Sequence, residues 1–119
     1  MDGPQSTGPT PDLAELEARA GEAEAFLRSL ASRHRLMILC SLLDQELSVG
    51  ELVQRLGLTQ SNLSRHLATL REEELVATRR DGTVIYYRIA SDRVRPILAE
   101  LYRLFCTPSV ADQSAPDEN

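Results

Sequence analysis

Apolar residues recur roughly every third or fourth position over most of this chain, which is the spacing of amphipathic helices. A first helix is predicted to start at Thr10-Pro11, an N-cap followed by a proline at the first helical position, and to run to about Ser29. The densest apolar run, 36-LMILCSLL-43, falls in a second predicted helix of about residues 32–44. A fifth helix is predicted over about residues 92–106, with an apolar stripe of Val94, Ile97, Leu98, Leu101, Leu104 and Phe105.

Two shorter helices lie between these, and their ends are marked by capping residues. The sequence 48-SVGE-51 is a capping box that starts a third helix, and Gly57 suits its C-terminal end. Thr59 is the predicted N-cap of a fourth helix, about residues 60–73, whose buried stripe is Leu63, Leu67 and Leu70. Together they predict a helix-turn-helix.

The hydrophobic period changes to two in 75-LVATRRDGTVIYYRI-89, which predicts a β-hairpin between the fourth and fifth helices. Asp81-Gly82 suits a two-residue type I′ loop. That loop would place Arg80 opposite Thr83, Thr78 opposite Ile85 and Val76 opposite Tyr87. The predicted fold class is mainly α with a small β-hairpin wing, a winged helix-turn-helix of residues 10–107 flanked by disordered segments at 1–9 and 108–119.

The second helix of such a unit presents its N-terminal residues to the major groove of DNA. Its exposed side chains would be Gln60, Ser61, Asn62, Ser64 and Arg65. Gln and Asn pair with adenine and Arg pairs with guanine, so these residues suit base recognition, although a merely solvated helix face is the alternative. Arg79 and Arg80 near the hairpin tip are predicted to contact the DNA backbone or the minor groove, whereas His34 and His66 are predicted to be structural.

The charge distribution is compatible with this partner despite a net charge of −5. Residues 1–27 contain six acids and one Arg, whereas residues 28–106 contain 12 Arg and nine acids. Phosphate binding depends on a local basic face rather than on the total charge. No apolar run approaches the ~18 residues of a membrane span, and the N-terminus lacks the pattern of a secretory signal. A cytoplasmic location without a membrane partner is therefore expected.

The run from residue 46 to 89 resembles the ArsR/SmtB family of bacterial repressors. The resemblance is carried by Q-S-x-x-S-x-H-L in the fourth helix and R-R-x-G-x-x-x-Y-Y-R in the hairpin. It implies a repressor that dimerises through its first and fifth helices, binds a palindromic double-stranded operator, and releases it when an inducer binds.

The metal sites of that family are not expected here. The arsenic and cadmium type carries two cysteines in E-L-C-V-C-D-L, where this chain has 46-ELSVGEL-52, so Ser48 and Gly50 replace the thiols. The zinc ligands are also missing, because only Asp92 remains, and Val94, Phe105 and Pro108 occupy the other positions. No metal and no cofactor are therefore predicted.

The two cysteines, Cys40 and Cys106, carry the remaining candidate chemistry. A cysteine in an apolar helix is often simple core filling. Alternatively, the second and fifth helices bring the thiols together, and Arg33, Arg35 and Arg103 lower a thiol pKa. L-C-x-L and L-Y-x-L-F-C resemble the SqrR/BigR branch of the family, in which reactive sulfur joins two thiols by a polysulfide bridge; carried over, the pair is Cys40 and Cys106.

The predicted function is thus a repressor that loses operator affinity when a persulfide or polysulfide bridges these thiols. Several alternatives stay open. The same fold would serve a repressor that forms a disulfide under peroxide or disulfide stress, or a trivalent arsenic sensor. A thiol enzyme is disfavoured because the sequence has no C-x-x-C motif and no candidate base, and a dimerisation module without DNA activity is the last alternative.

Overall fold

A computed structural model of the chain describes residues 12–106. The elements follow one another along the chain as α1 (Leu13–Leu30), α2 (Arg33–Ser41), β1 (Leu47–Ser48), α3 (Val49–Leu56), α4 (Gln60–Glu72), β2 (Val76–Asp81), β3 (Val84–Ile89) and α5 (Val94–Phe105). The predicted disorder at residues 1–9 and 108–119 lies outside the described residues.

The first two helices differ from the prediction at their ends. Thr10 is not the N-cap of α1, because the helix begins after Asp12, whose carboxylate accepts hydrogen bonds from the backbone N–H groups of Ala14 and Glu15. Asp12 was read only as one more acid, although aspartate is a strong N-cap residue. Helix α2 ends at Ser41, short of the predicted residue 44.

The predicted ends of the two central helices are confirmed. In α3 the Ser48 hydroxyl accepts from the Glu51 N–H at 3.2 Å, and the Glu51 carboxylate accepts from the Ser48 N–H at 2.9 Å. Gly57 closes this helix in the left-handed conformation with a φ of 71°. Thr59 caps α4 by accepting a hydrogen bond from the Asn62 N–H at 3.1 Å. Local capping therefore fixes where α4 starts.

One hydrophobic core lies beneath these helices and the sheet. The predicted stripe of α4 faces it, with Leu63, Leu67 and Leu70 fully buried. The other fully buried large side chains come from α2, α3, α5 and the residue that follows α2, and they are Ile38, Leu39, Leu42, Leu52 and Val94. Because its inner face is held in this core, α4 presents its polar face outward in a fixed orientation.

The register of the hairpin differs from the prediction. Asp81 pairs with Val84 and Arg80 pairs with Ile85, so the two loop residues are Gly82 and Thr83. Of these two loop residues only Gly82 has a positive φ, 66°. The loop is therefore not the predicted type I′, which needs a positive φ at both positions. Because the loop lies one residue further along the chain, each residue of β2 pairs with a residue two positions later in β3 than predicted. A shift of two residues leaves each side chain on its predicted face.

A third strand, absent from the prediction, completes the sheet. Leu47 pairs with Tyr87 and Ser48 with Tyr86, which gives the strand order β1-β3-β2. Two residues are too few to show a strand period in sequence. This short strand joins the start of α3 to the base of the wing.

The outer helices carry apolar side chains that the single chain does not bury. In α5, Val94 and Leu98 are buried, but Leu104 and Phe105 of the same predicted stripe are 57% and 80% exposed. In α1, Leu16 is 50% exposed. These faces lie on the two helices for which dimerisation was predicted.

Candidate nucleic-acid interface and thiol pair

The N-terminal half of α4 presents the predicted DNA-reading side chains together. Gln60, Ser61, Ser64 and Arg65 are exposed, and Asn62 is half-buried. The Ser61 hydroxyl lies 3.5 Å from the Thr59 hydroxyl, so it is part of the capped end of the helix. The cap and the leucine stripe thus position a polar cluster that can meet the edges of bases in a major groove.

A shallow cleft separates this helix from the wing. Its volume is about 530 Å³, and it is lined by α4 residues from Ser64 to Glu72 and by Tyr87 of β3. Arg65 lies at its edge. The exposed face of α4 and the hairpin are therefore two separate surfaces on either side of this cleft.

The two wing arginines do not act alike. Arg79 donates from Nε to the Glu46 carboxylate at 2.8 Å, and its guanidinium lies 4.9 Å from the centre of the Tyr86 ring. Arg80 is exposed and forms no ion pair with a carboxylate of residues 12–106. Successive strand residues point to opposite faces, so Arg79 and Arg80 lie on different sides of the hairpin and only Arg80 shares the face of Tyr87.

Glu46 is a residue that the sequence analysis missed. It precedes β1, and its carboxylate binds Arg79 of β2 and lies 3.9 Å from Arg88 of β3. The hydrogen bond from Arg79 is the main cause that lowers the pKa of Glu46. Both arginines belong to the quoted R-R-x-G-x-x-x-Y-Y-R pattern, and that cluster of positive charge was the available signal that a carboxylate would lie nearby.

The cysteines come from the C-terminal ends of two helices. Cys40 precedes Ser41, the last residue of α2, and Cys106 is the C-cap of α5, donating its backbone N–H to the Tyr102 carbonyl at 2.8 Å. Both side chains are exposed in the single chain, and neither is in a disulfide. Cys40 is therefore not the core-filling residue that its apolar run allowed, because the buried face of α2 is formed by Ile38 and Leu39.

The two thiols lie close enough to interact electrostatically. Partial burial raises the pKa of the Cys40 thiol, and the charge of a Cys106 thiolate raises it further. The expectation that arginines lower it is wrong for Cys40. Arg35 is bound to the carbonyl of Ser29 at 3.1 Å, and Arg103 is paired with Glu100.

No cluster of three or more potential metal ligands occurs among residues 12–106. The histidines, predicted to be structural, are half-buried and meet edge to face, with 5.6 Å between the ring centres of His34 and His66. Within the same residues, no helix has the length and apolar character needed to cross a membrane.

Comparison with known proteins relates this chain to transcriptional regulators. Residues 32–78 match the family described as bacterial regulatory protein, arsR family. The chain is 45% identical over 103 residues to the transcriptional activator HlyU of Vibrio cholerae, covering 87% of this chain and 95% of that protein. It is 41% identical over 108 residues to the biofilm growth-associated repressor of Agrobacterium fabrum, covering 91% of this chain and 92% of that protein.

Solved structures show the same fold. The structure of reduced HlyU from Vibrio cholerae is similar with a TM-score of 0.74 and 46% identity, over 78% of this chain and 98% of that chain. The structure of the transcriptional repressor BigR from Xylella fastidiosa is similar with a TM-score of 0.77 and 38% identity, over 82% of this chain and 99% of that chain. The similarity extends from α1 to the hairpin and α5 rather than being confined to the helix-turn-helix.

Proposed function

This chain belongs to the arsR family of bacterial regulatory proteins, and we propose that it is a dimeric repressor whose Cys40–Cys106 pair senses persulfides. Regulators of this family bind operator DNA, form dimers and are not enzymes, and the similar repressor BigR belongs to the branch that the thiol pattern of this chain resembles. The observation that supports the proposal is the placement of two exposed thiols at the ends of α2 and α5, and the raising of the Cys40 pKa by Cys106 agrees with it.

The proposed bridge forms in two steps that need only the persulfide as oxidant. A cysteine thiolate attacks the outer sulfur of R–S–SH, which forms Cys–S–SH and releases RS⁻. Once both cysteines carry a persulfide, the outer sulfur of one, as Cys–S–S⁻, attacks the inner sulfur of the other. The product is Cys–S–S–S–Cys, and HS⁻ leaves.

The proposed preference for a sulfur donor rests on the length of the bridge and not on the pKa of Cys40. The raised pKa keeps Cys40 mainly as the thiol near neutral pH, which slows its attack on persulfide and on peroxide alike because the thiolate is the nucleophile in both reactions. A direct disulfide requires Cα atoms about 4.4–6.8 Å apart. An inserted sulfur atom spans a wider gap without backbone strain, so a pair held beyond that range would form a polysulfide bridge rather than a disulfide.

The bridge would act on DNA binding through the connection that follows α2. Cys40 lies one residue before the end of this helix, and the chain then passes through Glu46 into β1, which pairs with β3 of the wing. Glu46 also binds Arg79 of β2. A displacement of the end of α2 would therefore be transmitted to the wing. A change of about 1.4 kcal/mol in the free energy of DNA binding is enough to change the affinity tenfold.

The test is intact mass without reductant after separate exposure of the reduced protein to persulfide, peroxide and arsenite. We expect a product with one additional sulfur and two fewer hydrogens, formed only with persulfide. Loss of two hydrogens with peroxide would favour the disulfide-stress repressor instead, and an arsenic adduct would favour the arsenic sensor.

Binding to the protein's own promoter DNA links the bridge to regulation. Cys40→Ser and Cys106→Ser should bind this DNA like the reduced wild type, because neither thiol lies among the reading residues, but should not release it with persulfide. Ser41→Ala, next to Cys40, is the matched control and should still respond. Release of the Cys40→Ser protein by persulfide would contradict the two-thiol mechanism, and failure of the wild type to bind would contradict the regulator itself.

A further inference from the structure

Four basic side chains meet where α2 packs against α4. His34 and Arg35 come from the first turn of α2, and Arg65 and His66 come from the middle of α4. The imidazole rings of His34 and His66 lie 5.6 Å apart, with an angle of 72° between their planes. We call these four residues the basic corner, and its Arg65 is also one of the DNA-reading residues.

No described acid neutralises the basic corner. None of its members forms an ion pair within 4 Å with a carboxylate of residues 12–106, and α2 has no acid in its first turn. Arg35 donates through Nη1 to the carbonyls of Arg28 and Ser29, at 3.4 and 3.1 Å, while its buried Nε has no partner among these residues. The corner is thus organised, and no carboxylate of residues 12–106 compensates its charge.

Burial and basic neighbours together determine the pKa of His66. Burial lowers the pKa of His66 most, and Arg35, His34 and Arg65 lower it further. No charged group from α3 or from the hairpin contributes to this pKa. A site that places an imidazole of lowered pKa beside two guanidinium groups has the electrostatic character that attracts an anion.

We propose that the basic corner binds a phosphate of the DNA backbone next to the bases read by α4. The argument rests on the DNA-binding function of the chain and is independent of the thiol chemistry. Arg65 makes the corner continuous with the reading face, so the anion that reaches it in the complex is a backbone phosphate. Two imidazoles at this spacing also suit a divalent cation, but the two arginines repel one.

Binding of this phosphate couples DNA affinity to pH. In the free protein, arginines and burial disfavour the imidazolium form of His66. A phosphate reverses the local potential and raises the imidazole pKa, so the complex takes up a proton that the free protein does not hold. Linkage then requires that affinity increase as the pH falls towards the histidine range and decrease as the pH rises above it.

The experiment measures binding of the reduced full-length protein to its own promoter duplex at pH 6, 7 and 8, at constant ionic strength. We expect the wild type to bind about three- to ten-fold more tightly at pH 6 than at pH 8. The chain has only two histidines, so this dependence should be lost in the double variant His34→Gln/His66→Gln. Arg95→Gln, at an exposed position of α5 outside the corner, is the control and should keep it.

A second measurement uses only the wild-type protein, so it does not depend on whether the double variant folds. Proton NMR of the His66 imidazole in the wild type, with and without the duplex, should show a higher pKa in the complex. Binding without any pH dependence, or pH dependence that persists in the double variant, would overturn the proposal. Absence of DNA binding at every pH would instead overturn the regulatory function and the corner with it.

Discussion

At the scale of single residues, the environment of Cys40 decides how this protein can react. Its thiol is exposed in the single chain, yet partial burial is the main cause that raises its pKa, and Cys106 is the second cause. Arginines that look close in sequence are engaged elsewhere: Arg35 is bound to the end of α1, and Arg103 is paired with Glu100. Cys40 is therefore a slow nucleophile near neutral pH, because only a small fraction of its thiol is ionised there.

This pKa gives a first prediction for Cys40. Its alkylation by iodoacetamide, followed by peptide mass spectrometry, should accelerate with pH and reach half-maximal rate above the ~8.5 of a free cysteine. Removing the charge of the neighbouring thiol in Cys106→Ser should lower that midpoint, because the Coulomb repulsion is gone. Met37→Leu, one turn away on α2, is a control that leaves the charge unchanged. An identical midpoint in Cys106→Ser and the wild type would mean that the thiols do not interact.

At the scale of elements, the wing is held to the body by the residue that precedes β1. Glu46 binds Arg79, which covers the Tyr86 ring, and also approaches Arg88. Arg80 on the other face of the hairpin has no such partner among the described residues. The sequence places Arg79 and Arg80 side by side, but the sheet gives one a structural contact and leaves the other available to DNA.

The second prediction compares these two arginines. Arg80→Gln should weaken binding to the protein's own promoter DNA and reduce the slope of log affinity against log salt by about 0.9, since one phosphate contact is lost. Arg79→Gln should leave the slope nearly unchanged, because its guanidinium is already neutralised by Glu46. The measurement is fluorescence anisotropy across a salt series. Equal loss of slope in both variants would show that DNA displaces Glu46 and uses both arginines.

At the scale of the whole molecule, the single chain leaves an apolar surface uncovered on its outer helices. Leu16 and Leu27 of α1 line an apolar groove of about 560 Å³, and Leu104 and Phe105 of α5 are more than half exposed. Apolar patches of this kind mark interfaces. The dimer implied by the family would cover these faces. It would also set the distance between the two α4 helices, which must match the spacing of the two half-sites in a palindromic operator.

The third prediction concerns this interface. Light scattering after size exclusion should give the wild type a mass of twice 13.2 kDa. Leu16→Glu should raise the dimer dissociation constant at least about tenfold, equivalent to about 1.4 kcal/mol, because a carboxylate replaces an apolar contact. Val84→Glu changes an exposed apolar residue of the wing, which is 40% exposed, and should leave the dimer intact. A monomeric wild type would place the interface elsewhere or exclude it.

The amino-acid sequence by itself determined the features that depend on neighbouring residues. The capping box at Ser48, the left-handed Gly57 and the Thr59 cap place α3 and α4 correctly, and the leucine spacing of α4 identifies its reading face. Each of these signals acts within one or two helical turns, so it can be read without knowing the fold. The same local reading erred at α1, where Asp12 rather than Thr10 is the N-cap.

Only the tertiary structure decided the features that depend on distant residues. The hairpin register is defined by the pairing of β2 with β3, and strand β1 exists because β3 lies beside it. The contact of Glu46 with Arg79 joins residues 33 positions apart, and the interaction of Cys40 with Cys106 spans most of the domain. Such pairs are set by the packing of whole elements against one core, and no periodicity in the sequence records them.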